Sequence, residues 1–187
     1  MNLDEDFGFR LDRHVLTKMQ RIGNGYDPVK LLDKMLDIVL GSELRIDVFE
    51  IKIATLYRLN RFDDAFAAVK ILISELPFRA ESWIHLVKYF RDVELDCYKS
   101  FIASDISIAI AKLDGNFVIQ CLSERVRTAI IMKDSDKAIN SLKEMIEYNP
   151  RKGSIDEWFP MDFTKLPNSE IIPQTLLEEY IRKSQNH

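Results

Sequence analysis

One spacing returns along this chain and constrains its fold more than any other feature. Ala65, Val69, Leu72 and Pro77 are separated by steps of 4, 3 and 5, and the same steps recur at Ala138, Leu142, Met145 and Pro150. Ser104, Ile108, Ala111 and Asn116 repeat them with asparagine in place of proline. Val29, Asp33, Leu36 and Gly41 form a fainter copy that departs at Asp33. Steps of 4 and 3 put three residues on one face of an α-helix, and the fourth residue stops it. From stop to stop the copies lie 36, 39 and 34 residues apart. Periods of this size mark stacked supersecondary units. The small first residue (Ala65, Ser104, Ala138) lets a neighbouring helix approach closely, and the next two apolar residues fill the space beyond it. Proline ends a helix because it lacks a backbone N–H and clashes with the preceding turn. Trp83 follows Pro77 by six residues and Leu122 follows Asn116 by six, each a bulky residue early in the next helix. Trp83, Leu86, Val87 and Phe90 then form a helical stripe.

The stretch NRFDDAFAAVKILISELPFRAESW, residues 60–83, resembles the second half of a tetratricopeptide repeat running into the next unit. SDKAINSLKEMIEYNP, residues 135–150, resembles the same half-repeat. The resemblance covers residues 46–150, is weak over about 10–44 and is absent beyond Pro150. It implies a single all-α domain over residues 1–187, a right-handed superhelical solenoid of antiparallel helix pairs. Its parts would be a degenerate repeat at about 10–44, repeats at 46–79, 80–118 and 119–152, and an irregular strap with a capping helix at 153–187. Two places depart from the family pattern. Lys52 and Ile53 stand where a large and then a small apolar residue belong, and Ile53 with Ala54 fits better if the turn is one residue shorter. RDVELDCYK, residues 91–99, lengthens the middle unit by five residues, as a longer turn or an extra helical turn. Short degenerate helices of this kind are also found in HEAT-like solenoids.

At the amino-terminal end, Leu11, Val15 and Met19 predict a helix over residues 9–20, and GNGYDP predicts a turn that places Pro28 in the first turn of the next helix. At the other end, residues 154–173 carry three prolines and the aromatics Trp158, Phe159 and Phe163. They predict an irregular strap over the last hairpin. Pro173 opens a helix to about Lys183 with Leu176, Leu177, Tyr180 and Ile181 on one side. This tail reads either as the cap a solenoid needs or as a docking segment for another protein.

Composition narrows the function. Lys and Arg number 26 against 30 Asp and Glu, for a net charge of −4 with both signs scattered, so no nucleic-acid partner is expected. The acidic start MNLDEDFGFRLDRH has no apolar run that could serve as a leader or a membrane span, which points to the cytoplasm. Cys97 and Cys121 fall on apolar-periodic segments and are expected to be free thiols in or near the core. His14, His85 and His187 have no ligand partners at metal spacing, and the acidic run Asp4 to Asp6 reads as a solvated tail. No catalytic or phosphate-binding motif is present, so no enzyme, metal or cofactor is expected.

The resemblance also implies a binding surface, because the first helix of each family unit lines a concave face where peptides bind. Carried onto this chain, that face holds Asp47, Glu50 and Tyr57, then Glu81, His85 and Lys88, then Gln120, Glu124 and Arg127. Of these, Glu50, Tyr57, Glu81, His85, Lys88, Glu124 and Arg127 are the predicted partner contacts, on a solvent-facing surface of mixed charge. The Lys, Asn and Arg clamp by which one subclass grips acidic chaperone tails is missing, since its places hold Glu50, Ala54, His85, Gln120 and Glu124. Two functions fit: a scaffold or adaptor holding a peptide or helix, or a cognate inhibitor of the immunity type covering the working face of a bacterial toxin or other enzyme. A homodimer built through the tail is a third possibility.

Overall fold

In a computed structural model of the protein, residues 27–39, 42–148 and 161–184 are described. The helix predicted over residues 9–20, the Gly23 to Gly25 turn, Pro150, Trp158 and Phe159 lie outside them. Among the described residues every regular element is helical. The α-helices are α1 (Pro28–Ile38), α2 (Ser42–Arg58), α3 (Phe62–Glu75), α4 (Ala80–Asp92), α5 (Cys97–Asp114), α6 (Val118–Ile131), α7 (Ser135–Glu147) and α8 (Gln174–Ser184), with single 3-10 turns at Phe163–Lys165 and Ser169–Ile171. None is long and apolar enough to cross a membrane. The chain divides into two compact units whose boundary, between Ala68 and Val69, falls inside α3.

In the first unit α1 packs on α2. Asp27 caps α1, its carboxylate accepting from the Val29 N–H at 3.0 Å, and Pro28 occupies the first helical position as the sequence predicts. The other end of α1 is closed from α2: the Arg45 guanidinium donates to the carbonyls of Leu36 (2.6 Å) and Val39 (2.9 Å). Those carbonyls have no partner within their own helix. The two anomalies in the repeat pattern account for each other. Lys52 on α2 pairs with Asp33 on α1 at 2.6 Å, so the charge that spoils one copy is answered by the charge that spoils the next. Ile53 is buried and Ala54 half-buried, the register that the shorter turn requires.

In the second unit α4 packs on α5, α5 on α6, α6 on α7, and α7 on α8, while α4 also meets α6 two elements away. The first three residues of each clear copy are buried: Ala65, Val69 and Leu72 on α3, Ser104, Ile108 and Ala111 on α5, and Ala138, Leu142 and Met145 on α7. The six-residue step after Pro77 has a physical cause, because Trp83 Nε1 donates to the Pro77 carbonyl at 2.9 Å and ties α4 to its own connector. After α5 the stop is one residue earlier than Asn116. Gly115 adopts φ 80° and its N–H closes the helix on the Ala111 carbonyl at 2.7 Å.

The turns inside the three hairpins share one device that their residue types conceal. Asn60, Leu95 and Lys133, following α2, α4 and α6, all have positive φ, at 54°, 57° and 57°. After α2 the Arg61 N–H reaches back to the Leu56 carbonyl at 2.9 Å, and after α6 the Asp134 N–H reaches the Ala129 carbonyl at 3.1 Å. Both are the closure that a glycine usually makes. The turn after α4 is longer, residues 93–96, and residues 91–99 comprise the last two residues of α4, this turn and the first three residues of α5. Asp96 and Asp134 then cap α5 and α7 through the N–H groups of Lys99 and Lys137, each at 3.0 Å.

The tail folds back on the last hairpin. Phe163 and Tyr180 are buried with ring centroids 5.2 Å apart, and the Tyr180 hydroxyl accepts from the Met161 N–H at 3.0 Å. Ser135 at the start of α7 donates to the Ile171 carbonyl at 2.9 Å, and Lys183 donates to the Tyr148 carbonyl at 3.2 Å beyond its other end. Leu176 and Leu177 are buried with Tyr180, whereas Ile181 is exposed.

Leu95 makes the turn after α4 testable. A leucine held left-handed is strained by roughly 1–2 kcal/mol, and its side chain is exposed, so it returns little by burial. Leu95→Gly is expected to stabilise the protein by about 1 kcal/mol in denaturant unfolding, while Leu95→Val is expected to destabilise it. Loss of stability in the glycine variant would refute the left-handed turn.

Candidate functional site

The residues predicted to line a concave face are placed on three helices, and six of them lie in the second unit. Lys88 and Arg91 stand three apart on α4, and Glu124 and Arg127 stand three apart on α6, so each pair shares a helix face. Between the helices Arg91 Nη1 donates to Glu124 Oε2, and Lys88 Nζ lies 3.6 Å from Glu124 Oε1. The rest of the Arg91 fork is held by its neighbour, with Nε and Nη2 on the two Asp92 oxygens at 2.7 and 2.9 Å. The planar guanidinium thus grips two carboxylates at once, geometry that a lysine could not supply. Behind this network the Ser100 hydroxyl of α5 donates to the Val87 carbonyl at 2.9 Å and meets Thr128 Oγ1 at 3.1 Å, linking α4, α5 and α6.

Burial corrects the sequence reading. Lys88 is 6% exposed, Glu124 4% and Arg127 4%, and Glu81, His85 and Tyr57 are buried as well. Glu50 is half-buried, and only Asp47 and Gln120 of that face are exposed. The seven predicted contacts therefore do not form a solvated surface of mixed charge. Charged side chains are withdrawn from water only when they are paired, and Lys88 and Glu124 have turned toward each other. Glu81, at the start of α4, pairs with Arg79 at 3.3 Å.

Arg91 and Asp92 are not among the residues the sequence predicts, because they open the stretch 91–99 that departs from the repeat pattern. The pairing of the two faces, by contrast, leaves a signal in the sequence. Lys88 and His85 recur 39 residues later as Arg127 and Glu124, the same interval that separates Pro77 from Asn116. A polar face that recurs in register between two helices of neighbouring hairpins is positioned to pair with itself.

The electrostatics follow from this arrangement. Burial by itself would raise the Glu124 carboxyl, but Arg91, Lys88 and Arg127 outweigh it and hold the group down from its ordinary 4.5 to about 2. The Arg91 guanidinium is held above its ordinary range, burial opposing and Glu124 and Asp92 prevailing. Both cysteines are free thiols, Cys121 buried and Cys97 half-buried. Among the described residues no three His, Cys, Asp or Glu side chains are grouped to hold a metal ion.

No family model, curated protein or solved structure matches this chain. The reading of the site therefore rests on its geometry.

A carboxyl whose folded value is depressed contributes stability above its unfolded value, and that contribution is lost as pH falls toward the folded value. For Glu124 the window runs from 4.5 down to about 2, and the full contribution is about 3 kcal/mol. Glu124→Gln leaves Arg91 and Lys88 buried without their carboxylate, and is expected to cost about 3–5 kcal/mol at neutral pH. The variant is also expected to show a shallower decline of stability across that acid window, measured by urea unfolding at a series of pH values. An unchanged slope would mean that Glu124 is not ionised in the folded protein.

Proposed function

We propose that the chain is a non-enzymatic protein-binding scaffold built as a tetratricopeptide-like solenoid. The observation that carries this reading is the meeting of α4 with α6. They are the first helices of successive hairpins, and a solenoid stacks such helices side by side along its inner face. Further support comes from the burial of the same small and apolar residues on α3, α5 and α7, and from the left-handed residue that closes each hairpin turn.

The buried charges take the part of a floor in this account, not of the contact surface. Preorganisation lowers the ordering cost of binding, so a fixed floor favours recognition by the groups left at its margin. In the second unit that group is Gln120, one turn before Glu124 on α6.

A photo-crosslinking amino acid placed at Gln120 tests the proposal in lysate of the native host, with Lys143 on α7 as the control. A discrete protein adduct is expected at Gln120 and not at Lys143. Adducts confined to Lys143, or none at Gln120, would contradict the proposal.

A further inference from the structure

We propose that the outward face of α5 is a homodimer interface, on which two copies of the helix pack antiparallel about Ala109. One side of α5, formed by Ser100, Ala103, Ser104, Ser107, Ile108 and Ala111, is buried in its own unit. The opposite side is apolar too. Tyr98, Ile102, Ala109 and Leu113 are exposed, Tyr98 at 68% and Leu113 at 85%. At 3.6 residues per turn these four fall within an arc of roughly 60° along a helix about 27 Å long. An apolar strip of this length on a helix whose other side is already buried marks a surface that a partner covers.

Charge along one edge of this face says what covers it. Asp105 pairs with Arg125 of α6 at 3.1 Å, Arg125 pairs with Glu144 of α7, and Glu144 pairs with Lys112 at 2.5 Å. The four charges form an open chain of alternating sign that begins and ends on α5. Its two ends, the Asp105 carboxylate and the Lys112 ammonium, are about half exposed, at 53% and 49% of their side chains. They stand seven residues apart, two helical turns.

An edge that is negative at one end and positive at the other is complementary to itself under a two-fold rotation, the symmetry of an isologous dimer. An axis through Ala109 brings residue 105 of one copy level with residue 113 of the other. Each Asp105 then meets the second copy's Lys112, and two open chains of four close into a ring of eight. The small side chain of Ala109 permits close approach of the two helices where they cross. Ile102 and Leu113 cover the axis on either side. The pairing is specific because a parallel arrangement would set like charges against each other.

Light scattering over a dilution series of the full chain tests this, with Asp105→Lys and Lys112→Glu made separately. The wild type is expected to associate to twice the monomer mass. Each variant alone sets like charges together twice, and its association is expected to weaken at least about tenfold. An equimolar mixture of the two restores both attractive pairs and is expected to recover association close to that of the wild type. Ile102→Glu, at an exposed position, is expected to be folded by circular dichroism and monomeric both alone and in every mixture. A monomeric wild type, variants that dimerise like it, or a mixture that does not recover would overturn the proposal.

Discussion

Arg91 and Glu124 lie 33 residues apart in sequence, yet their side chains meet where water does not reach, 1% and 5% exposed. Each ion alone would cost several kcal/mol to place there, and their mutual attraction offsets that cost only when the geometry is good and the remaining hydrogen-bonding groups are engaged. Here they are. Asp92 takes the other two edges of the guanidinium, and Lys88 stands by the second oxygen of Glu124. The arrangement fixes the register of α4 against α6, because a slide by one turn would leave at least one of these charges buried and alone. Apolar contacts such as Ile84 or Val126 could tolerate such a slide far better, since the hydrophobic effect has no direction.

This division of labour explains how much was legible in the sequence. The apolar repeat reported where helices run and which face is inward, since Ala138, Leu142 and Met145 obey a geometric period that needs only one helix. The departures at Asp33 and Lys52 looked like decay of the pattern and proved to be an ion pair between α1 and α2, visible only once the two helices are set side by side. The left-handed turns were hidden for a different reason. Leu95 and Lys133 occupy positions where backbone geometry asks for glycine, and a residue that tolerates strain carries no signature of it.

The polar face of α4 and α6 was legible as a face but not as an interior. Periodicity places Lys88 with His85 and Glu124 with Arg127, and charge then argues for solvent. What reverses that argument is pairing between elements, which local spacing does not encode. Side chains engaged in holding hairpins together are withdrawn from solvent, and Gln120 is an exposed member of this face. The outward side of α5 has the opposite character, with apolar residues left in water and the charges beside them ending in an open chain.

A double-mutant cycle on Arg91 and Glu124 tests the central claim most directly. Arg91→Met and Glu124→Gln, singly and together, are compared by urea unfolding at neutral pH. If the pair sets the register of α4 on α6, the double variant is less destabilised than the sum of the singles by about 2 kcal/mol or more, within the range found for residues in direct contact. A coupling below about 0.5 kcal/mol, the scatter expected of independent sites, would contradict it and leave the apolar repeat alone to set the stack.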